Sequence, residues 1–263
     1  MKSRKTPERA LRLLHTSDVH LDSPESCAGL DAVVAAANHL GVDLFLMAGD
    51  TFDSARVSQE TIERALETLS HLTMPGVILP GNHDALDQTS VYRRMDLKRY
   101  APMVHLLTNV QGEELVIPDL DVAVWGRAME EHTPSFRPLE GAPSRNGVGW
   151  YVGMAHGYHF ATGERADRSS PIFPEEIADT NYDYWALGHV HVFRDVSAGP
   201  VSAFYSGSPD DHAISPRPGH VALVELDPNT GVQVRRLLLQ TYYDQAERSG
   251  PEKLLGNVFR TAP

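Results

Sequence analysis

The sequence predicts an α/β protein in which two β-sheets pack together in one domain. Three observations carry that expectation. Apolar runs such as "VDLFLMAG" stop at a glycine with no polar alternation inside them, as in strands buried on both faces. Segments of helical spacing separate such runs in the first third of the chain. In the second half, short strand candidates follow one another with few helices between them.

The elements read as follows. Residues 11–14, "LRLL", form a first strand that leads into "HTSDVH". "LDAVVAAANHLG", from Leu30, is helical, with Gly41 as its stop signal. "VDLFLMAG" is the second strand. Ser58 is placed to cap the next helix, whose apolar positions Ile62, Ala65, Leu66, Leu69 and Leu72 keep helical spacing. "GVILPG" is the third strand. The order β-α-β-α-β implies parallel strands with right-handed crossovers. "MVHLL", "ELVIP", "DVAVWG", "WYVGMAHG", "YDYWALGHV", "SAFYSG", "HVALVEL" and "VQVRRLLLQ" read as strands of a second sheet, largely antiparallel or mixed. Residues 131–149, rich in Pro, Gly and charge, read as a long surface loop. With no repeat, low-complexity tract or linker, residues 1–263 are expected to form one domain without a separate capping domain.

Composition narrows the function. Hydrophobic residues make up 41% of the chain, enough for a sizeable core. The single cysteine, Cys27, excludes an internal disulfide and fits a reducing, cytoplasmic setting. The N-terminus lacks the apolar stretch of a signal peptide, and no run reaches the ~18 apolar residues of a membrane span. A formal net charge of −12 argues against a broad electrostatic grip on nucleic acid. Acids that hold divalent cations would soften that effect, because the local charge is then not the formal one.

Polar residues collect where the apolar runs end. They are Asp18 and His20 in "SDVH", Asp50 and Asp53 in "GDTFD", Asn82, His83 and Asp84 in "GNHD", His156 in "MAHG", and His189 and His191 in "GHVH". In open α/β sheets, ligands gather at the carboxyl ends of strands, so these clusters can meet in space. Asp, Asn and His without thiolates suit Mn, Fe or Zn. One such cluster is common by chance; five along one chain are not.

The order D-x-H, G-D-x-x-D, G-N-H-D, a strand-end His and G-H-x-H resembles the calcineurin-like metallophosphoesterases. The match runs from about Leu13 to His191. "HTSDVHLDSP", "AGDTFDSARVS", "VILPGNHD", "ALGHVH" and "YSGSPD" are similar, more narrowly, to the DNA-repair exonuclease branch typified by the SbcD nuclease. Asp22 stands where many nuclease relatives carry glycine. The resemblance implies a sandwich of two mixed β-sheets flanked by helices, in α/β/β/α layers. It implies one metal site from Asp18, His20, Asp50 and His191, and a second from Asp50, Asn82, His156 and His189, with Asp50 bridging. Two divalent ions are expected, Mn²⁺ first, with Fe, Zn or Mg as alternatives. Phosphodiester hydrolysis would proceed by attack of a metal-bridging hydroxide. His83 is expected to protonate the leaving oxygen or to stabilise the charge on it. Asp84 is expected either to orient His83 or raise its pKa, or else to cap a turn, and Asp53 either to support the site or to charge the start of the helix after Ser58.

Other residues have milder readings. His15 is expected to pack in the core or behind the site; His39, His71, His105, His132 and His220 lie outside the motifs and are expected on the surface. His159 and His212 lie near motifs and are weaker candidates for substrate contact. Residues 92–99, "YRRMDLKR", form a basic helical stretch that could meet a phosphate backbone, and a second basic group is Lys2, Arg4, Lys5, Arg9 and Arg12. The expected substrate is a phosphodiester, with single-stranded nucleic acid ahead of duplex. SbcD-type nucleases work with an ATPase partner, but no docking segment for one is evident. The rival enzyme is a phosphatase or cyclic-nucleotide phosphodiesterase; the rival from another class is a silent binding module, which has no need of the full donor set plus His83.

Overall fold

Strands and helices alternate as far as Leu79: β1 (Leu11–Thr16), α1 (Ala28–Leu40), β2 (Leu44–Ala48), α2 (Gln59–Ser70) and β3 (Gly76–Leu79). The computed structural model describes residues 5–145, 147–166, 169–210 and 219–243. α1 stops at Gly41, whose φ of 57° is the left-handed cap that glycine adopts without a side-chain clash. α2 starts at Ser58, whose hydroxyl accepts the Thr61 N–H at 3.1 Å. The chain continues through α3 (Leu97–Tyr100), β4 (Val104–Leu106), β5 (Glu113–Ile117), β6 (Val122–Gly126) and β7 (Trp150–His156). β8 (Tyr158–His159), β9 (Pro171–Ile172), α4 (Pro174–Thr180), β10 (Tyr184–Gly188) and β11 (Arg194–Asp195) follow. β12 (Ser202–Tyr205), β13 (His220–Asp227) and β14 (Gly231–Leu238) complete the described elements.

Two mixed six-stranded sheets result, in the orders β14-β13-β1-β2-β3-β4 and β11-β12-β10-β7-β6-β5. β8 and β9 form a small parallel pair beside them. β1, β2, β3 and β4 run parallel, as the β-α-β-α-β pattern predicts. The strands of the second half divide differently from expectation. β4, β13 and β14 belong to the first sheet, with β13 antiparallel to β1 in the register Leu13↔Val224. β13 is buried on both faces because it lies inside that sheet, whereas β14 alternates exposed and half-buried residues because it forms the edge. Period-2 patterning reports burial of a face; it does not say which sheet a strand joins.

Alternation along each strand builds three apolar layers. Leu14, Phe45, Met47 and Ile78 face α1 and α2. Leu13, Leu44, Leu46, Val77 and Leu79 face the second sheet, where Val122, Val124, Val152, Met154, Tyr184 and Ala186 meet them. Tyr151, Trp185 and Leu187 point out from the second sheet and are covered by Ile177 of α4, Leu139 and Tyr182. The layers are therefore α/β/β/α, with one short helix and irregular chain on the outer side. Among the described residues of 131–149 there is no helix or strand, as expected, yet Phe136 and Leu139 of that loop are buried.

The basic stretch at residues 92–99 is not one helix. A 3-10 turn at Val91–Arg94 and the four-residue α3 flank Met95, whose backbone is extended. No helix among the described residues is long and apolar enough to cross a membrane. Lys2, Arg4 and His212 lie outside the described residues.

Candidate metal centre

The clusters meet on one rim of the sandwich, where both sheets present the carboxyl ends of their parallel strands. Asp18 and His20 follow β1, Asp50 follows β2, and Asn82 and His83 follow β3. His156 ends β7, and His189 and His191 follow β10. Three strands of the first sheet and two of the second thus supply one constellation.

The backbone there is unusual. Among the described residues, seven non-glycines have positive φ, and four of them are Asp18 (54°), His20 (51°), Asp50 (53°) and His189 (97°). Asp and His tolerate the left-handed region better than most residues, and such strain concentrates at functional sites. Main-chain hydrogen bonds hold the turns in place. Asp18 N–H donates to Gly49 O at 3.0 Å, and the N–H groups of Val19 and His20 both donate to Asp50 O, at 2.9 and 3.0 Å. Glycines Gly49 and Gly81 leave the needed space: a Cβ on Gly49 would collide with the His156 ring, and one on Gly81 with the Asp50 carboxylate.

Side chains then close to ligand spacing. Asp18, His20 and His191 have nitrogen and oxygen atoms within 4.8 Å of one another; so do His20, Asp50 and His83, and so do Asp18, Asp50 and His156. Asp50 Oδ2 lies 3.2 Å from His156 Nε2 and 3.8 Å from His20 Nε2, so one carboxylate touches both groups. Asn82 Oδ1 lies 3.0 Å from His156 Nε2 and 2.9 Å from His189 Nδ1. His191 Nε2 is 3.6 Å from Asp18 Oδ1 and 3.3 Å from His20 Nε2. The Asp18 carboxylate also accepts the His189 N–H at 3.0 Å and the Ser17 hydroxyl.

This donor chemistry fits cations. His156 Nδ1 sits 2.9 Å from the Ala48 carbonyl, which only accepts, so Nδ1 carries a proton. In the neutral ring, Nε2 then presents a lone pair to two oxygens, Asp50 Oδ2 and Asn82 Oδ1. His20 Nε2 and His191 Nε2 lie 3.3 Å apart, where one ring can donate to the other. The contacts of His156 with Asp50 and Asn82 need a proton or a positive ion between them, and without an ion a proton on His156 meets that need. Burial opposes charge on Asp50, but His156 and the His83 N–H overcome it and hold the carboxyl well below its usual range. Burial works against a charged His156 too, yet Asp50 pulls it up to about 9. Burial and the neighbouring His156 push His189 down to about 3. Burial is also the main cause that raises Asp18 and lowers His20.

His83 and Asp53 sit together at the open side. His83 Nδ1 donates to Asp53 O at 2.8 Å, and Asp53 Oδ1 lies 3.6 Å from the same nitrogen and 3.3 Å from His20 Nδ1. The His83 N–H donates to Asp50 Oδ1 at 2.9 Å, and its ring packs edge-on against His20. Asp84 is elsewhere. It is buried and accepts from Gly81 N–H, Thr51 N–H, Phe52 N–H and the Tyr92 hydroxyl, at 2.7, 2.7, 3.2 and 2.6 Å. Burial and the Asp50 charge push Asp84 up to about 6. Of the two sequence readings of Asp84, the geometry matches the turn cap; the group that meets the His83 ring is Asp53.

Some residues the sequence left on the surface do more. His132, although exposed, reaches Ser169 Oγ at 2.9 Å and packs its ring against His189. His220 accepts the Phe193 N–H at 3.2 Å and so supports the turn after His191. His15, by contrast, is fully buried as expected, with Nδ1 2.8 Å from the Tyr184 hydroxyl. His159 lies on β8, its N–H bonded to the Tyr205 hydroxyl. His132 and His220 carry no motif; His132 is separated from every strand-end cluster in sequence, and only the fold brings it near.

A family model described as calcineurin-like phosphoesterase matches residues 11–193. The uncharacterized metallophosphoesterase YhaO of Bacillus subtilis is 26% identical over 229 residues, 75% of this chain and 53% of that protein. The DNA double-strand break repair protein Mre11 of Methanopyrus kandleri is 27% identical over 226 residues, 76% of this chain and 49% of that protein. The SbcD component of the Bacillus subtilis nuclease SbcCD is 24% identical over 275 residues, 88% of this chain and 70% of that protein. The chain thus spans about half the length of the first two.

Proposed function

The chain belongs to the calcineurin-like phosphoesterase family of metal-dependent hydrolases, and from that premise we propose that it hydrolyses phosphodiesters at a dinuclear centre, as a nuclease-like enzyme of the SbcD-type branch. The observation that carries the reading is the convergence of Asp18, His20, Asp50, Asn82, His156, His189 and His191 from five strand ends of two sheets. Similarity to Mre11 and to the SbcD component of SbcCD supports the nuclease-like assignment.

Asp18, His20, Asp50 and His191 would hold one ion, and Asp50, Asn82, His156 and His189 the other; Mn²⁺ matches the oxygen-and-imidazole donor set. Such ions would supply Lewis acidity, activating water and neutralising charge on phosphoryl oxygens. The protein's part is to fix and to protonate. Asp50 is held between the two donor groups by the His83 N–H and by the turn after β2. With Nδ1 engaged by Asp53 O, the His83 ring offers Nε2 toward the open side, where it can give a proton to the leaving oxygen. The Asp53 carboxylate lies beside the same nitrogen, at 3.6 Å.

Substrate size follows from the cations. Arg93 Nε and Arg94 Nη2 are bonded to main-chain oxygens of Asp87 and of Ala55 and Val57. Lys5 pairs with Asp121, and Arg9 with Asp43. Cations engaged in this way are poor phosphate grips, which favours small phosphodiesters and flexible single strands over duplex interiors. The same observation favours the second reading, a cyclic-nucleotide phosphodiesterase or a phosphatase. A panel decides: chelated protein restored with Mn²⁺ is offered single-stranded DNA, duplex DNA, cyclic nucleotides and an aryl phosphodiester. Turnover of the single strand ahead of the duplex is expected. Hydrolysis of cyclic nucleotides alone would select the second reading, and full activity after verified metal removal would overturn both.

A further inference from the structure

His189 reaches the centre with one nitrogen and leaves it with the other. Its Nδ1 faces Asn82 Oδ1 at 2.9 Å, while Nε2 lies 3.0 Å from Ser169 Oγ. Ser169 Oγ is in turn 2.9 Å from His132 Nε2. Neither Ser169 nor His132 belongs to the strand-end motifs, and neither meets the donor oxygens. Their loops are nevertheless pinned to the site. Ser169 adopts φ 62°, a strained conformation for serine that the surroundings must enforce. Its neighbour Ser170 is buried and accepts the Tyr158 N–H at 3.0 Å, two residues after His156, while the Ser170 hydroxyl donates to Thr133 O at 3.4 Å, one residue after His132.

A nitrogen that binds a cation must carry no proton, so a neutral imidazole ligating through Nδ1 keeps its proton on Nε2. That proton needs an acceptor. Ser169 Oγ is in place to accept it, and the hydroxyl's own proton can then go to His132 Nε2. The chain of donors runs outward from the centre.

We propose that Ser169 and His132 are positioning residues that receive the Nε2 proton of His189 and thereby set Nδ1 as the nitrogen facing the cation shared with Asn82 and His156. The inference rests on the dinuclear reading. Outer partners of ligating histidines typically govern metal affinity by 10–100-fold.

The test uses Ser169→Gly, which removes the hydroxyl and suits the positive φ, and Ser169→Asn, which keeps a hydrogen-bonding side chain tolerant of that φ. Affinity for two equivalents of Mn²⁺ or Zn²⁺ is measured by chelator competition on the full chain. Ser169→Gly should weaken one of two sites by about 10–100-fold and leave the other within about threefold. Ser169→Asn should recover at least part of the loss, and His132→Phe should weaken the same site. In the Zn²⁺-loaded wild type, nitrogen-15 NMR should find the His189 proton on Nε2. A proton on Nδ1, or two sites of unchanged affinity in both Ser169→Gly and His132→Phe, would overturn the inference alone. A wild type that binds no ion would overturn the dinuclear reading and this inference with it.

Discussion

The inner and outer halves of the candidate centre hold their side chains in different ways. On the inner half, each imidazole is engaged at both nitrogens: His156 lies between Ala48 O and the Asp50 and Asn82 oxygens, and His189 between Asn82 and Ser169. His156 and Asp50 are 1% and 2% exposed. On the outer half, His191 keeps 29% of its side chain exposed and His83 keeps 43%. The carboxylate facing His20 and His83 belongs to Asp53, itself exposed. A group with a second partner has few alternative geometries, so the inner half is set before any ligand arrives. The outer half is where water and substrate enter, past the exposed His83 and Asp53; Asp18, although it would serve the outer ion, is buried and fixed like the inner groups. We expect the first half to govern retention of metal and the second to govern turnover.

Asp50 belongs to both halves, so its loss should be the most severe. Asp50→Asn is expected to lose both ions and all measurable hydrolysis, read by metal content and turnover. A variant that still held two ions would show that Asp50 is not the bridge. His83→Ala should separate the halves most clearly. Metal content stays at the wild-type level while the rate on a substrate with a poor leaving group falls by about 10²–10⁴, the usual contribution of a general acid. A loss under about tenfold would take the acid role from His83. Stripping with a chelator should then sharpen the comparison: the outer ion leaves first and the inner ion later, in two phases. Release in one phase would mean that the two halves are equally held.

The smallest effect concerns the interior behind the centre. Burial pushes His15 down to about 3, with only a backbone bond involving Leu187 pulling the other way. Below its ordinary value of 6.5, the unfolded chain takes up a proton that the folded chain refuses. Stability is therefore intact above about pH 6.5 and falls as pH drops toward 3, by up to ~1.4 kcal/mol per pH unit from this group. Denaturant unfolding of metal-free protein at several pH values should show a shallower acid loss for His15→Gln than for wild type. Parallel curves would show that His15 does not carry this part of the pH dependence.

Much of this was legible in the sequence, and the reasons are physical. An apolar run that stops at glycine and a polar residue marks both a buried strand and its carboxyl end, so β1, β2, β3, β7 and β10 came with their candidate residues attached. Caps at Ser58 and Gly41 are local chemistry and were readable for the same cause. Sheet membership of β13 and β14 was not, because burial of a strand face does not name its neighbour. Asp84 shows a further limit: its place in "GNHD" does not tell whether the carboxylate turns toward His83 or back onto Gly81 and Thr51. His132 and Ser169 lay in a loop and beside no motif, and only folding of residues 129–133 against the β8–β9 pair brings them to His189.

The central claim is that two divalent ions share Asp50 at the rim where the sheets meet. The most direct measurement is electron paramagnetic resonance of the chain titrated with Mn²⁺, alongside metal content. A shared carboxylate predicts saturation at two ions per chain and a spin-coupled pair about 4 Å apart, with coupling lost in Asp50→Asn. Saturation at one ion, or two ions that remain magnetically independent, would contradict it.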